Sequence, residues 1–317
     1  MPKLSDYQPS GILLLDKPEG LTSAAVVARI KHRFGFGKVG HGGTLDPLAT
    51  GLLPLGINEG TKLLAWLSEN QKCYQAILKL GESTDTLDRD GKILRNSEVL
   101  CSEDEVRRTI MSYVGDLDQV PPMVSAKKHQ GQPLYKLARK GQELDLVPVR
   151  VTVHDIQIEA VVLPRVRFTV MASKGFYVRA LCRDIGESLG CGAHMESLRR
   201  LRHGGFALDD ATALDDILKM DIDQGLACMV PLESPRLPLP LLPVCFDVED
   251  ALRNGRIINA QQAQQWLKNA TGFGPGLYRI LGRDGKLVAI ADLLAASETW
   301  SAMQESAEVL VTRRGFA

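Results

Sequence analysis

The sequence lacks the usual marks of a secreted, membrane-spanning or metal-binding protein. Its longest apolar runs are short and most contain Gly or Pro, so no transmembrane helix is expected. The N-terminal "MPKLSDYQPSG" has no apolar core of the kind a signal peptide needs, so a cytoplasmic protein is expected. Six cysteines, Cys73, Cys101, Cys182, Cys191, Cys228 and Cys245, contain no C-x-x-C pair. They read as reduced thiols, mostly packed inside, and not as disulfides or a zinc site. A Walker sequence is missing, and so is a Ser/His/Asp signature. "GFGKVG" has dinucleotide-loop spacing at Gly35, Gly37 and Gly40, but it follows a helical pattern and opens none. "DTLDRDG" resembles a calcium loop, but Thr86 stands where the first Asp belongs and no Glu closes it. Cys191 and His194 have no second ligand pair, so a packed Cys and a surface His are expected.

Net charge is also missing: 38 Lys and Arg balance 38 Asp and Glu. By itself that argues against a polyanionic partner. The distribution is uneven, however. Residues 21–45 carry Arg29, Lys31, Arg33 and Lys38 and no acid. Residues 121–150 carry Lys127, Lys128, Lys136, Arg139, Lys140 and Arg150 against Glu143 and Asp145. Residues 174–203 are similarly basic, and acids concentrate in 82–105 and 208–235. If the basic segments meet in space they form a nucleic-acid face; separate solvated faces are the alternative that charge alone leaves open.

What the chain does contain is a mixture of short elements. "GILLLDKPEG" reads as a buried strand ending in a turn. Thr22 or Ser23 caps a helix with Val26, Val27, Ile30 and Phe34 on one face. A second helix is expected from Thr61 to about Leu67, and a strand from Tyr74. "SEDEVRRTIMSYVG" opens with a capping box, Ser102 with Glu105. A short helix is expected near Leu134–Lys140. "VRVTVHDIQIEAVVL" and "RVRFTVMAS" read as adjacent strands, and "YVRALCRDIGESLG" as a helix ended by Gly190. Without regular strand–helix alternation, the class is α+β with a mainly antiparallel sheet flanked by helices. Five prolines in "PLESPRLPLPLLPV", 231–244, read as a linker. Beyond it, strand-sized runs split by turns suggest a small β-rich domain at 245–317.

One stretch fits neither solvent loop nor helix: "GHGGTLDPLATGLLPLG", Gly40–Gly56. It holds a single acid, Asp46, between Leu45 and Pro47. A structural turn Asp is one reading. Two other segments supply possible company, "KCYQAILKLG" with Tyr74 and "ASKGFYVRALCRDIG" with Tyr177 and Arg179. A rigid loop could fix the carboxylate and a bidentate Arg could keep it ionised. The tyrosines could stack on a flat ligand, and one could move a proton.

"GHGGTLDPLATGLLP" resembles the catalytic loop of the TruB family of tRNA pseudouridine synthases. "LLLDKPEGLTS" resembles that family's N-terminal motif, "KCYQAILKLGESTDTLDRDG" its second, and "PPMVSAKKHQGQPLYKLARKG" its RNA-gripping thumb. "ASKGFYVRALCRDIG" and "GCGAHMESLRRLRHGGF" follow in the right order, so the resemblance runs from about residue 11 to 235. It is weaker over 245–317, which is similar to a PUA-like RNA-binding domain. Gly42 and Thr44 depart from residues some members carry. The resemblance implies a pseudouridine synthase domain over 1–240, with a thumb at about 121–150, and a PUA-like domain over 245–317. It implies that Asp46 is the catalytic acid, that Tyr74 stacks on the base and takes the C5 proton, and that Arg179 pairs with Asp46. By the same token His41, Tyr177 and Leu198 line the uridine pocket, and Lys17 and Pro18 support the loop. Lys127, Lys128 and Lys136 are expected on the RNA backbone. The implied reaction turns uridine 55 of the tRNA T-loop into pseudouridine, with the base flipped out. It implies the T-arm as partner, a monomer with no obligate protein partner, and no cofactor or metal. The alternatives are a non-catalytic RNA-binding or tRNA-folding protein, and a relative that works with a guide RNA. Removing 245–317 is expected to weaken RNA binding more than it slows chemistry.

Overall fold

The computed structural model describes residues 9–68, 71–124, 128–129, 132–133, 146–244, 246–266 and 272–316. The helix expected near Leu134–Lys140 lies outside the described residues, as do Lys127 and Lys136, and of Lys128 only the backbone is described.

The apolar run "GILLL" explains the centre of the fold. In strand β1 (Gly11–Lys17) Leu13 and Leu15 face one core while Ile12 and Leu14 face another. A strand covered on both faces reads as continuous apolar sequence. After helix α1 (Ser23–Phe34), the chain forms β2 (Val39–His41) and β3 (Thr50–Ile57). Strand β1 pairs antiparallel with β3 along its full length, from Gly11 opposite Ile57 to Lys17 opposite Gly51. Helix α2 (Leu64–Ser68) leads into β4 (Lys72–Leu80). The hairpin β5 (Glu82–Thr84) and β6 (Ile93–Asn96) precedes helix α3 (Glu103–Met111) and β7 (Gly115–Gln119). A two-residue ribbon, β8 (Lys128–His129) with β9 (Gln132–Pro133), lies within the basic segment. The long hairpin β10 (Val149–Val162) and β11 (Arg165–Ala172) is followed by α4 (Val178–Ser188) and β12 (Ala193–His203). Short strands β13 (Phe206–Ala207), β14 (Thr212–Ala213) and β15 (Met229–Val230) complete the sheet.

This sheet has 11 strands, with main order β14-β1-β3-β12-β4-β11-β10-β7. Among the described residues, parallel pairing within this sheet occurs only at β1–β14 and β3–β12. The sheet is therefore mixed and mainly antiparallel, and the fold is α+β as expected. Helix α1 lays Val26, Ile30 and Phe34 on one part of it, while α3 and α4 cover Leu78, Phe168 and Val170 on another. Thr22 Oγ1 caps α1 by accepting from the Ala25 amide at 3.0 Å, and the reciprocal Ser102–Glu105 box caps α3.

A second sheet has five strands, in order β16 (Leu241–Pro243), β18 (Gly276–Leu281), β19 (Leu287–Leu293), β20 (Glu308–Gly315) and β17 (Ile258–Asn259).

Three details differ from the sequence reading. The expected helix from Thr61 is a 3₁₀ turn, Asn58–Leu63, that continues into the short α2. Asn58 has φ 48°, and its side-chain amide bonds the Lys38 amide and the Pro9 carbonyl, so the chain turns too sharply for an α-helical start. His194 is buried, not at the surface, with Nδ1 3.1 Å from the Glu82 carbonyl. The proline-rich segment is not a free linker. Leu232 and Leu237 are buried, and Leu241–Pro243 forms an edge strand, where a missing N–H is tolerated.

Gly51 ties the sheet to the loop before it. Its φ is 98°, and a Cβ there would lie 2.4 Å from the Arg200 carbonyl oxygen on β12. Gly51→Ala combines left-handed backbone with a backbone clash, so it should destabilise the fold by about 3 kcal/mol. Denaturant unfolding measures this; a midpoint shift near zero would contradict the close packing of β3 on β12.

Candidate active site

The Gly40–Gly56 stretch is held at both ends and in the middle. Strand β2 pairs with β3, and the Gly42 amide donates to Pro54 O at 2.9 Å. Between these ends, Leu45, Leu48 and Ala49 are buried. Buried Ser23 accepts from the Leu45 amide at 2.8 Å and donates to the Leu45 carbonyl at 3.1 Å. Pro47 O accepts from the Gly20 amide at 2.8 Å. The Lys17 ammonium is buried and donates to Pro18 O at 2.8 Å, Leu21 O at 2.7 Å and Pro47 O at 3.3 Å. Burial pulls the Lys17 pKa down to about 8, against the opposing pull of Asp46. Backbone on both sides of Asp46 is thus fastened while its side chain stays partly accessible, 34% exposed.

Helix α4 supplies the partner. Gln119, 3% exposed, clamps its start: the Tyr177 amide donates to Gln119 Oε1 at 2.8 Å, and Gln119 Nε2 donates to Tyr177 O at 3.1 Å. Arg179, in the first turn, reaches Asp46 Oδ2 with Nη2 at 2.9 Å. The pair is not bidentate, contrary to the expectation. The rest of the guanidinium is shared among Asp88 Oδ2 at 3.6 Å, Thr86 O at 3.0 Å and Val124 O at 2.7 Å. Loss of solvent raises the Asp46 pKa; Arg179 opposes this and the neighbouring Asp88 charge adds to it. Because the folded carboxyl binds its proton more tightly, the Asp46 charge costs stability above its raised pKa. That cost vanishes as pH falls through it.

Asp46, Tyr74, Tyr177, Arg179 and Leu198 line one cavity of about 250 Å³. Tyr74 stands opposite Arg200 across the β4–β12 pairing, and the two side chains lie close enough to interact. Arg200, 1% exposed, also donates to Leu52 O at 2.6 Å and Gly43 O at 3.2 Å, so it braces the glycine loop from below. His41 does not line the cavity. It lies on β2, with Nδ1 buried and without a hydrogen-bond partner. Burial, helped by Arg200, lowers its pKa, which favours neutral imidazole.

The sequence reading missed Asp88, Lys72 and Arg200. Asp88 sits in the stretch set aside as a failed calcium loop; Thr86 Oγ1 donates to its Oδ1 at 2.5 Å. Lys72 opens the strand that carries Tyr74 and lines the same cavity. Arg200 shares a strand face with Leu198, the spacing of two being the available signal. Among the described residues, no three His, Cys, Asp or Glu side chains form a metal-binding group. No helix among the described residues is long and apolar enough to cross a membrane.

Comparison with known proteins decides the family. A model described as the N-terminal domain of TruB family pseudouridylate synthase matches residues 31–178. A second, for the C-terminal domain of tRNA pseudouridylate synthase B, matches 179–235. A protein named tRNA pseudouridine synthase B from Geobacter sulfurreducens is 40% identical over 302 residues, 95% of this chain and 98% of that one. The chain belongs to the TruB family of pseudouridylate synthases. Another relative of the same name, from Syntrophotalea carbinolica, is 46% identical over 237 residues, 74% of this chain and 78% of its own. Among solved structures, a chain of a Cbf5–Nop10–Gar1 complex superposes with TM-score 0.74 and 25% identity, covering 99% of this chain and 87% of that one. In this TruB-family chain the cavity straddles the two matched regions, with Asp46 and Tyr74 in the first and Arg179 and Leu198 in the second.

The shared guanidinium makes a specific prediction. Asp88→Asn removes a negative charge beside Asp46 and leaves more of Arg179 to it. The Asp46 pKa should fall toward the ordinary carboxylate range. Carbon-13 NMR titration of the Asp46 carboxyl measures this, and a midpoint that stays or rises would refute the shared-arginine account.

Proposed function

We propose that this TruB-family enzyme isomerises uridine to pseudouridine at position 55 in the T-loop of tRNA, with Asp46 as the catalytic carboxylate. The observation that carries the reading is Asp46 beside Arg179 on the wall of a cavity that also holds Tyr74 and Tyr177. The relatives' name, tRNA pseudouridine synthase B, supports the substrate class.

The reaction breaks the N1–C1′ bond, turns the uracil, and joins C5 to C1′; C5 loses a proton and N1 gains one. It is an isomerisation and needs no redox cofactor. Ionised Asp46 acts on the ribose, by attack at C1′ or by taking the C2′ proton. Arg179 favours its charged form against the burial that raises its pKa. The ring of Tyr74 stacks on the uracil, and its side-chain oxygen is the group placed to take the C5 proton. Tyr177 and Leu198 wall the base and exclude water that would capture C1′. We assign His41 to the space the base vacates.

A cavity of this size admits one nucleotide and no helix, so the uridine must leave its stack at a cost of a few kcal/mol. Contacts to the RNA backbone offset that cost, and Lys127, Lys128 and Lys136 are assigned to them. Residues 1–240 form the catalytic domain and 245–317 a PUA-like domain in this reading. The enzyme works in the cytoplasm as a monomer, without an obligate protein partner. The likeness to a chain of a Cbf5–Nop10–Gar1 complex favours a second reading, in which partners are needed. Activity on a free T-arm RNA with no added protein or guide separates the two.

Two outcomes test the proposal. Asp46→Asn should fold, bind RNA and lose more than about a thousandfold in turnover, roughly 4 kcal/mol of barrier. Arg179 is not orphaned by the change, since Asp88, Thr86 O and Val124 O remain, so the melting temperature should hold. Tritium release from C5-labelled tRNA reads turnover, and near-normal release would remove Asp46 from the chemistry. Replacing Lys127, Lys128 and Lys136 with Ala should weaken binding. It should also reduce the slope of affinity against salt by about one for each phosphate no longer neutralised. An unchanged slope would move the RNA path elsewhere.

A further inference from the structure

We infer that the C-terminal sheet positions the Asp46 loop, acting through Phe316, Lys62 and helix α2, and is not a separable binding module. The activity arm of the test rests on the reading above; the structural arm does not.

The link begins at the end of β20. Phe316, 5% exposed, lies with Leu287 and Ile290 in the same apolar cluster as Leu63, Leu67 and Leu14 of the first sheet's domain. A tethered module shows a polar, modest interface; this one continues the core. Phe316 is held in place on its own side, its amide donating to Val288 O at 2.7 Å and its carbonyl accepting from Arg253 Nη1 at 3.3 Å. Lys62, in the 3₁₀ turn, donates to Gly315 O at 2.8 Å and places its ammonium 5.2 Å from the centre of the Phe316 ring.

That turn leads directly into α2, which backs the glycine loop. A Cβ at Gly40 would lie 2.9 Å from Leu64 Cδ1, and one at Gly42 would lie 3.7 Å from Leu67 Cβ. Ser68 Oγ donates to Gly42 O at 3.0 Å. The loop that carries Asp46 therefore rests on α2, and α2 rests on the apolar cluster that includes Phe316. The connector has no slack either. Arg279, 1% exposed, donates to Leu232 O and Ser234 O at 2.8 Å each and to Leu239 O at 3.0 Å. This departs from the expectation that removing 245–317 weakens RNA binding more than it slows the chemical step.

Packed interiors transmit displacement, and a shift of about 1 Å at a reacting group costs about a hundredfold in rate. Removing the Phe316 ring leaves a void in the apolar cluster that holds Leu63 and Leu67, and α2 relaxes toward it.

The test uses the full chain with Phe316→Ala, Phe316→Leu and Lys62→Met. The first readout is amide hydrogen exchange of residues 40–56 without RNA. The second is single-turnover tritium release from a T-arm RNA at saturating enzyme, with affinity measured on the same samples. Phe316→Ala should speed exchange in the loop and slow turnover by about tenfold or more. RNA affinity should stay within about twofold, and Phe316→Leu should recover most of the loss, since packing is what the ring supplies. Lys62→Met should fall between, and it carries the test alone if Phe316→Ala does not fold. Folded variants with wild-type exchange across 40–56 overturn the inference. So does a loss of affinity with the single-turnover rate unchanged. Wild-type protein that releases no tritium overturns the functional reading instead, and the exchange comparison then still decides the structural claim.

Discussion

A carboxylate and a guanidinium set against apolar walls place the heaviest demand on this fold. Withdrawing Asp46 from water raises its pKa, and the Arg179 charge beside it opposes that shift. Arg179 is itself 4% exposed, and a buried guanidinium must have its donors satisfied. Three segments far apart in the chain do this: the loop at Asp46, the turn at Thr86 and Asp88, and the backbone at Val124. None of the three is placed by local sequence preference. Each is placed by the sheet beneath it.

The same logic explains why a loop rich in glycine is rigid here. Glycine lowers the cost of unusual backbone but does nothing to hold it. Rigidity comes from the polar groups that grip the loop: Ser23 on Leu45, Lys17 on Pro47, Arg200 on Gly43 and Ser68 on Gly42. Lys17 illustrates the trade. Its burial penalises the charged form enough to bring the pKa to about 8, yet three carbonyls are oriented by one ammonium.

Much of this is legible in the sequence, and the illegible part has a physical cause. An acid between Leu45 and Pro47 stands out because nothing local needs it. The helix of Arg179 stands out by its pattern and its Gly190 stop. Arg200 does not, since "LRRLRH" offers three arginines and only register tells which turns inward. Register there depends on two strand partners and on irregularities between Met195 and Ser197 and between Arg200 and Arg202. A bulge resets the alternation that a sequence reading counts on. Asp88 is hidden for another reason: it serves a partner 91 positions away, Arg179, while its own neighbours look like a degraded metal loop. The proline-rich stretch misleads because proline rules out central strands but not an edge strand, which Leu241–Pro243 is.

The balance of charge can now be placed in space. A chain with equal numbers of acids and bases gives no reason to bind a polyanion. Around the cavity the balance is different, because Lys72, Lys174, Arg179 and Arg200 line it against a single carboxylate, Asp46. Arg179 spends part of its charge on Asp46 and Asp88. Arg200 has no carboxylate among the described residues within ion-pair distance; its donors go to Leu52 O and Gly43 O. Carbonyls satisfy hydrogen bonds without cancelling charge, and a guanidinium stays protonated even where burial lowers its pKa, as it does here. The cavity floor therefore keeps a net positive field in a place that water screens poorly. Such a field favours an anionic ligand at the cavity and stabilises negative charge that develops inside it. It also works against Asp46, since every cation nearby makes the carboxylate easier to ionise and a weaker base. Desolvation pushes the other way, and the raised Asp46 pKa shows which effect is larger.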